Sequence, residues 1–149
     1  MKAGTGSGKT EAWALYLLSE VKKSSDFHVM ALYPTLALVN DQVKRLEKYM
    51  GLVGRKIMQI DSVKKDEFLK KDNLTALRMT TVSSNLIITN PAFLLHDFKK
   101  FIVKKESAIL ALVYSKLDLL VIDELNFYSP RSLALLLGMV KLIAKTREV

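Results

Sequence analysis

The chain has 149 residues, half of them hydrophobic, and a formal net charge of +8. This length and composition predict a single globular domain over residues 1–149 and exclude a disordered chain. The lack of cysteine excludes disulfides and thiolate metal sites, and the two histidines, His28 and His96, show no metal-ligand spacing. No apolar run reaches the roughly 18 residues that a membrane span needs, and no signal peptide is recognisable. We therefore expect a cytoplasmic protein with no membrane partner.

The positive charge is concentrated in the middle of the chain. Residues 41–105 carry 14 Lys and Arg against 7 Asp and Glu, a net of +7, whereas residues 1–40 and 106–149 are close to neutral. A basic surface of this kind is typical of proteins that bind a polyanion such as nucleic acid. A solvated, lysine-rich surface without a partner is the alternative, and charge alone leaves both open.

The first recognisable segment is the glycine-rich sequence AGTGSGKTEA, residues 3–12. It fits the phosphate-binding pattern G-x-x-x-x-G-K-[ST], with Ala3 in place of the first glycine. In this pattern backbone N–H groups surround the phosphates, the lysine reaches the β- and γ-phosphates, and the last hydroxyl holds Mg²⁺. The predicted nucleotide-binding residues are Gly4, Thr5, Gly6, Ser7, Gly8, Lys9 and Thr10. A flexible glycine and serine linker is the alternative, but a helix is predicted directly afterwards and favours the binding loop.

Helical and extended patterns alternate along the rest of the chain. Apolar residues recur at helical spacing over residues 11–21 and 35–50. Helices are also predicted over the lysine-rich residues 62–69, over residues 91–103 and from residue 130 to about residue 145. Short apolar runs predict strands over residues 27–33, 55–60, 86–89 and 118–122. Residues 70–84 carry a weaker pattern. The alternation predicts an α/β fold, a parallel sheet with helices on both faces and ligands at the carboxyl ends of its strands.

Two adjacent carboxylates follow the last predicted strand. In LLVIDELNFY, residues 119–128, Asp123 stands at the strand tip and Glu124 comes next. Asp123 is predicted to hold Mg²⁺ opposite Thr10, and Glu124 to orient and deprotonate an attacking water. An Asp-Glu pair also begins many ordinary loops, but its position after a buried strand and downstream of a phosphate loop favours catalysis.

Four segments together resemble the motifs of superfamily 2 helicases of the DExH branch. AGTGSGKTEA is similar to motif I, YPTLALVNDQVKRL (residues 33–46) to motif Ia, IITNPAFLL (residues 87–95) to motif Ib and VIDEL (residues 121–125) to motif II. They occur in the family's order and span nearly the whole chain. The resemblance implies a RecA-like P-loop NTPase domain, the ATP-binding half of an ATP-dependent DNA or RNA helicase or translocase.

The resemblance also implies the site residues and the partners. Lys9 and Glu124 would be catalytic, with ATP and Mg²⁺ as cofactors. The phosphate backbone of single-stranded or duplex nucleic acid would lie near five residues from motifs Ia and Ib: Pro34, Thr35, Thr89, Asn90 and Pro91. Threonine hydroxyls and helix N-terminal amides bind phosphates without reading bases, which supports this assignment.

The sequence departs from the family pattern in three places. Motif II has Asn126 where the nearest relatives carry histidine or aspartate. The family pattern also includes a strand before the phosphate loop and a second RecA-like domain, and we expect this chain to lack both, so that its fold is incomplete at its N-terminal strand. Because the second domain normally supplies an arginine worth about 10³–10⁵ in rate, the chain alone is expected to unwind nothing and to hydrolyse ATP very slowly if at all.

Two other functions stay open at this point. The chain could be a different P-loop enzyme, such as a nucleotide kinase, although the Pro-Thr and Asn-Pro turns have no use in a kinase. It could also be a catalytically dead remnant that binds nucleic acid without ATP.

Overall fold

A computed structural model describes residues 9–24 and 26–147. Four parallel strands form one sheet, β1 (Val29–Leu32), β2 (Ile57–Gln59), β3 (Leu86–Thr89) and β4 (Leu119–Ile122). Their order across the sheet is β2-β3-β1-β4, with Leu32 in register with both Thr89 and Ile122. The predicted parallel α/β fold is confirmed. The carboxyl ends of the three longer strands therefore lie side by side at one edge of the sheet.

Seven helices connect and flank these strands in the described part of the chain. They are α1 (Lys9–Lys23), α2 (Leu36–Leu52), α3 (Ser62–Leu69), α4 (Leu74–Ser83), α5 (Pro91–Val103), α6 (Ala111–Lys116) and α7 (Pro130–Arg147). Short 3₁₀ turns occupy residues Lys105–Ser107 and Leu125–Phe127. None of the described helices is long and apolar enough to cross a membrane.

Alternation along the strands divides the core into two layers, because successive side chains of a strand point to opposite faces. One layer joins Val29, Ala31 and Tyr33 to the apolar faces of α1 and α2. The other joins Met30 and Leu32 to α4, α5, α6 and α7. Helices thus cover both faces of the sheet, as the near-continuous apolar runs of its strands predict.

The helices that begin at the carboxyl edge of the sheet have clear N-terminal signals. Thr35 caps α2 by accepting a hydrogen bond from the backbone N–H of Leu38 at 3.2 Å, and Asn90 caps α5 by accepting one from Phe93 at 2.8 Å. Ser129 accepts one from the N–H of Ser132 in α7 at 3.1 Å. Such caps satisfy backbone donors that the helix itself leaves unpaired.

Candidate functional site

The segments that carry the predicted site converge at the carboxyl edge of the sheet. Tyr33 and Pro34 follow β1, Asn90 and Pro91 follow β3, and Asp123 follows β4. Register places the ends of these three strands side by side, with β1 in the centre. Residues about 90 positions apart in sequence are therefore neighbours here.

Asp123 is the most firmly held side chain of this edge. It is only 6% exposed, and its Oδ2 accepts hydrogen bonds from the Tyr33 hydroxyl at 3.1 Å and from Trp13 Nε1 at 3.4 Å. Its Oδ1 accepts a hydrogen bond from the backbone N–H of Glu124 at 2.8 Å. Several donors hold a buried carboxylate in a fixed orientation.

Trp13 connects this carboxylate to α1. It lies about one turn beyond Lys9 and Thr10, the first two residues of the helix. The Trp13–Asp123 hydrogen bond therefore places the first turns of α1 beside the tip of β4. Gly4, Thr5, Gly6, Ser7 and Gly8 lie outside the described residues, and only the backbone of Lys9 and Thr10 is described.

Glu124 has an unusual conformation. Its φ is +57°, in the left-handed region that costs a residue with a Cβ about 1–2 kcal/mol. Its Oε2 is buried and has no hydrogen-bond partner within the described part of the chain. Backbone strain and an unsatisfied carboxylate oxygen are frequent at functional sites, where a ligand or water completes the arrangement.

Asp123 and Glu124 carry carboxylate oxygens, the ligand type that Mg²⁺ prefers. Among the described residues, no group of three or more His, Cys, Asp or Glu could hold a metal ion. Mg²⁺ in nucleotide sites is usually held by one or two carboxylates together with phosphates and water. Asp123 and Glu124 are adjacent carboxylates of this type, and the Glu124 Oε2 has no partner among the residues that the structure describes.

The predicted nucleic-acid residues fall into two groups. Thr35 is exposed and caps α2, while Pro34, Asn90 and Pro91 line one pocket of about 440 Å³ together with Phe127 and Tyr128. Thr89, in contrast, is completely buried at the end of β3, and its hydroxyl has no partner among the described residues.

Tyr128 lines this pocket and is close enough to Asp123 for the charge of that carboxylate to act on its phenol. Its hydroxyl is buried without a hydrogen-bond partner in the described ranges. Burial raises the pKa of the Tyr128 phenol, and the negative charge of Asp123 raises it further. Tyr128 is therefore a neutral phenol near neutral pH.

Sequence reasoning missed the contribution of Trp13 and Tyr33. Trp13 looks like an ordinary residue of an amphipathic helix, and Tyr33 looks like the end of a buried strand. The only available signal for Tyr33 is its position next to the Pro34-Thr35 turn.

Comparison with known proteins identifies the family. The model of the DEAD/DEAH box helicase family matches residues 1–146. The chain belongs to the DEAD/DEAH box helicase family. This helicase domain matches no curated protein.

Solved structures give the same fold. The domain is similar to the crystal structure of the DUF1998 helicase MrfA, with a TM-score of 0.65 and 21% identity. It is also similar to a hypothetical ATP-dependent RNA helicase from Sulfolobus tokodaii, with a TM-score of 0.62 and 18% identity. Each match covers 95% of this chain but only 22% and 35%, respectively, of those chains. At these identities the likeness shows a shared RecA-like fold.

Proposed function

We propose that this chain is the ATP- and nucleic-acid-binding RecA-like domain of an ATP-dependent helicase or translocase. The observation that carries the proposal is the Asp123 carboxylate, which Trp13 of α1 and Tyr33, the residue after β1, hold at the tip of β4. This contact brings the helix that follows the glycine-rich segment next to the acidic motif. In phosphoryl transfer these two parts must act together.

In this proposal each residue has a separate role. Gly4, Thr5, Gly6, Ser7 and Gly8 surround the phosphates, and Lys9 contacts the β- and γ-phosphates. Thr10 and Asp123 would hold Mg²⁺, whose chemistry would be to neutralise negative charge on the phosphates.

Glu124 positions the attacking water and accepts its proton. Its buried Oε2 has no hydrogen-bond partner in the described ranges, and a water that donates to this oxygen would satisfy it, which supports the role. The neutral Tyr128 phenol beside Asp123 adds no competing charge.

Nucleic acid would lie across the turns that open α2 and α5. Pro34, Thr35, Asn90 and Pro91 form these turns, and Thr89 lies beneath Asn90 at the end of β3. Contacts of this type hold phosphates without reading sequence. A second RecA-like domain is the proposed partner that would complete the catalytic site.

The experiment is binding of a fluorescent ATP analogue with Mg²⁺ to the full chain. We expect saturable binding that Lys9→Ala abolishes. Lys22→Ala is the matched control, because it removes the same charge from the last turn of the same helix. It should leave binding unchanged.

The same measurement separates the alternative functions. Absence of nucleotide binding by the wild type, with nucleic-acid binding retained, would favour the remnant that binds nucleic acid without ATP. Nucleotide binding without any affinity for DNA or RNA would favour a different P-loop NTPase.

A further inference from the structure

The pocket at the carboxyl edge combines three separate segments of the chain. Pro34 and Leu36 come from the start of α2, Asn90 and Pro91 from the start of α5, and Phe127 and Tyr128 from the turn after β4. The volume of about 440 Å³ falls in the range of about 300–1,000 Å³ that small-molecule sites occupy. A flat heterocycle fits in a space of this size.

The lining is mainly apolar, with one exposed aromatic ring at the border. Phe127 is 57% exposed although it is a large apolar residue, and Leu36 and Leu135 are also partly open to solvent. A ring at a pocket's edge offers a π-face to a ligand, and the Asn90 amide can donate and accept hydrogen bonds. These features suit an aromatic ligand with polar edges.

The surroundings of the pocket favour an anionic ligand backbone. Helices α2, α5 and α7 all begin at this pocket, and the first turn of each lacks acidic residues. Their N-terminal dipoles and the exposed Arg131 of α7 add positive potential to the rim, against the negative charge of Asp123 that acts on Tyr128. An apolar pocket inside a positive rim is complementary to a base attached to a phosphate chain.

We propose that this pocket receives one unpaired base of a single-stranded nucleic acid, stacked on Phe127, while the adjacent phosphates lie on the turns that open α2 and α5. The proposal deepens the function proposed above and rests on it. In this proposal Phe127 and the pocket bind the base, whereas the contacts proposed above bind only the sugar-phosphate backbone. It also makes a single strand the preferred substrate, since a paired base cannot leave its stack without losing its pairing.

The test compares an ordinary oligonucleotide of roughly twelve bases with an abasic sugar-phosphate chain of the same length and charge, in both DNA and RNA. Fluorescence anisotropy measures their binding to the full chain at low salt. For the wild type we expect the abasic chain to bind at least about fivefold more weakly, since a stacked base is worth about that factor or more.

Variants of Phe127 distinguish stacking from general apolar contact. Phe127→Leu keeps an apolar side chain without a π-face and should bind the two chains with nearly equal affinity. Phe127→Trp retains the π-face and should restore the preference for the chain with bases. Leu137→Ala is the control, because Leu137 is also an exposed apolar residue but lies in α7 outside the pocket. This variant should behave like the wild type.

Other outcomes would overturn the proposal in distinguishable ways. If the wild type binds the oligonucleotide and the abasic chain with equal affinity, nucleic acid binds through its backbone and the base pocket is refuted. An apolar protein segment would then be the ligand that fits the pocket. A base preference that persists in Phe127→Leu would place base recognition elsewhere. No binding of any oligonucleotide would refute the nucleic-acid part of the proposed function as well.

Discussion

Asp123 is the residue at which three parts of the sequence meet. Its carboxylate contacts α1 through Trp13, the end of β1 through Tyr33, which follows that strand, and the strained turn through the N–H of Glu124. Tyr33 is completely buried and directly precedes Pro34, which lines the pocket. The Tyr33 side chain thus connects Asp123, the proposed magnesium ligand, with the turn at Pro34 where nucleic acid is proposed to bind.

The role of the Tyr33 hydroxyl can be tested with Tyr33→Phe. We expect the affinity for the Mg²⁺–nucleotide analogue to fall about 3- to 10-fold, because Asp123 loses a donor that fixes its orientation. Binding of the same nucleotide with EDTA should not change. Fluorescence titration with and without Mg²⁺ measures both affinities.

Tyr114→Phe is the matched control for this variant. Tyr114 is also buried and donates a hydrogen bond to a carboxylate, Asp97, at 3.0 Å, but it lies away from the site. Equal losses of affinity in both variants, or a loss that does not depend on Mg²⁺, would show that Tyr33 acts only through stability.

At the scale of elements, a buried carboxylate organises the connection between α5 and α6. Asp97 is 2% exposed and accepts hydrogen bonds from the N–H groups of Ile109 and Leu110, at 2.7 and 3.0 Å, and from the Tyr114 hydroxyl. The Tyr114 ring packs edge-to-face against Phe98 and Phe101. Burial and the charge of Asp97 both raise the pKa of the Tyr114 phenol, so it stays a neutral donor.

This arrangement predicts a large effect of Asp97→Ala on folding. The substitution leaves two backbone N–H groups and one hydroxyl without an acceptor, so we expect the free energy of unfolding to fall by about 3 kcal/mol or more. Urea denaturation followed by circular dichroism measures the change. Asp66→Ala, at an exposed position of α3, should alter it by less than about 0.5 kcal/mol. A similar small change for Asp97→Ala would refute the structural role.

At the scale of the whole molecule, the net charge of +8 favours any polyanion. The excess of seven positive charges lies within residues 41–105, a segment that includes most of α2 and all of α3 and α5. Positive charge in these helices supports an affinity for nucleic acid that does not depend on base sequence. The base pocket, in contrast, would distinguish single strands from duplexes.

Binding through the positive charge of these helices predicts that the affinity for nucleic acid depends steeply on salt and little on base sequence. If about three phosphates are neutralised, affinity for a single strand should fall about 20-fold between about 50 and 200 mM salt. Anisotropy titrations at several salt concentrations, with oligonucleotides of unrelated sequence, provide the slope. An affinity that is insensitive to salt would contradict binding through the backbone.

Most of the long elements could be predicted from the sequence alone. The periodic apolar faces of α1, α2 and α5 determine their positions, and Pro130 marks the start of α7. The structure differs at α4 and α6. α4 lies in the segment with the weaker pattern, and α6 has only six residues and depends on the Asp97 contact. Such short helices are set by tertiary contacts rather than by periodicity.

The family, the parallel fold and the residue types of the candidate site could be predicted from the amino-acid sequence, because they depend on local spacing and on motifs in a fixed order. The contacts between these residues depend on the folded arrangement of the chain. Trp13 and Tyr33 contact Asp123 across 110 and 90 positions of sequence. Phe127 joins Pro34 and Asn90 in one pocket. Contacts over such distances follow from strand order and register, and those are fixed only when the sheet assembles.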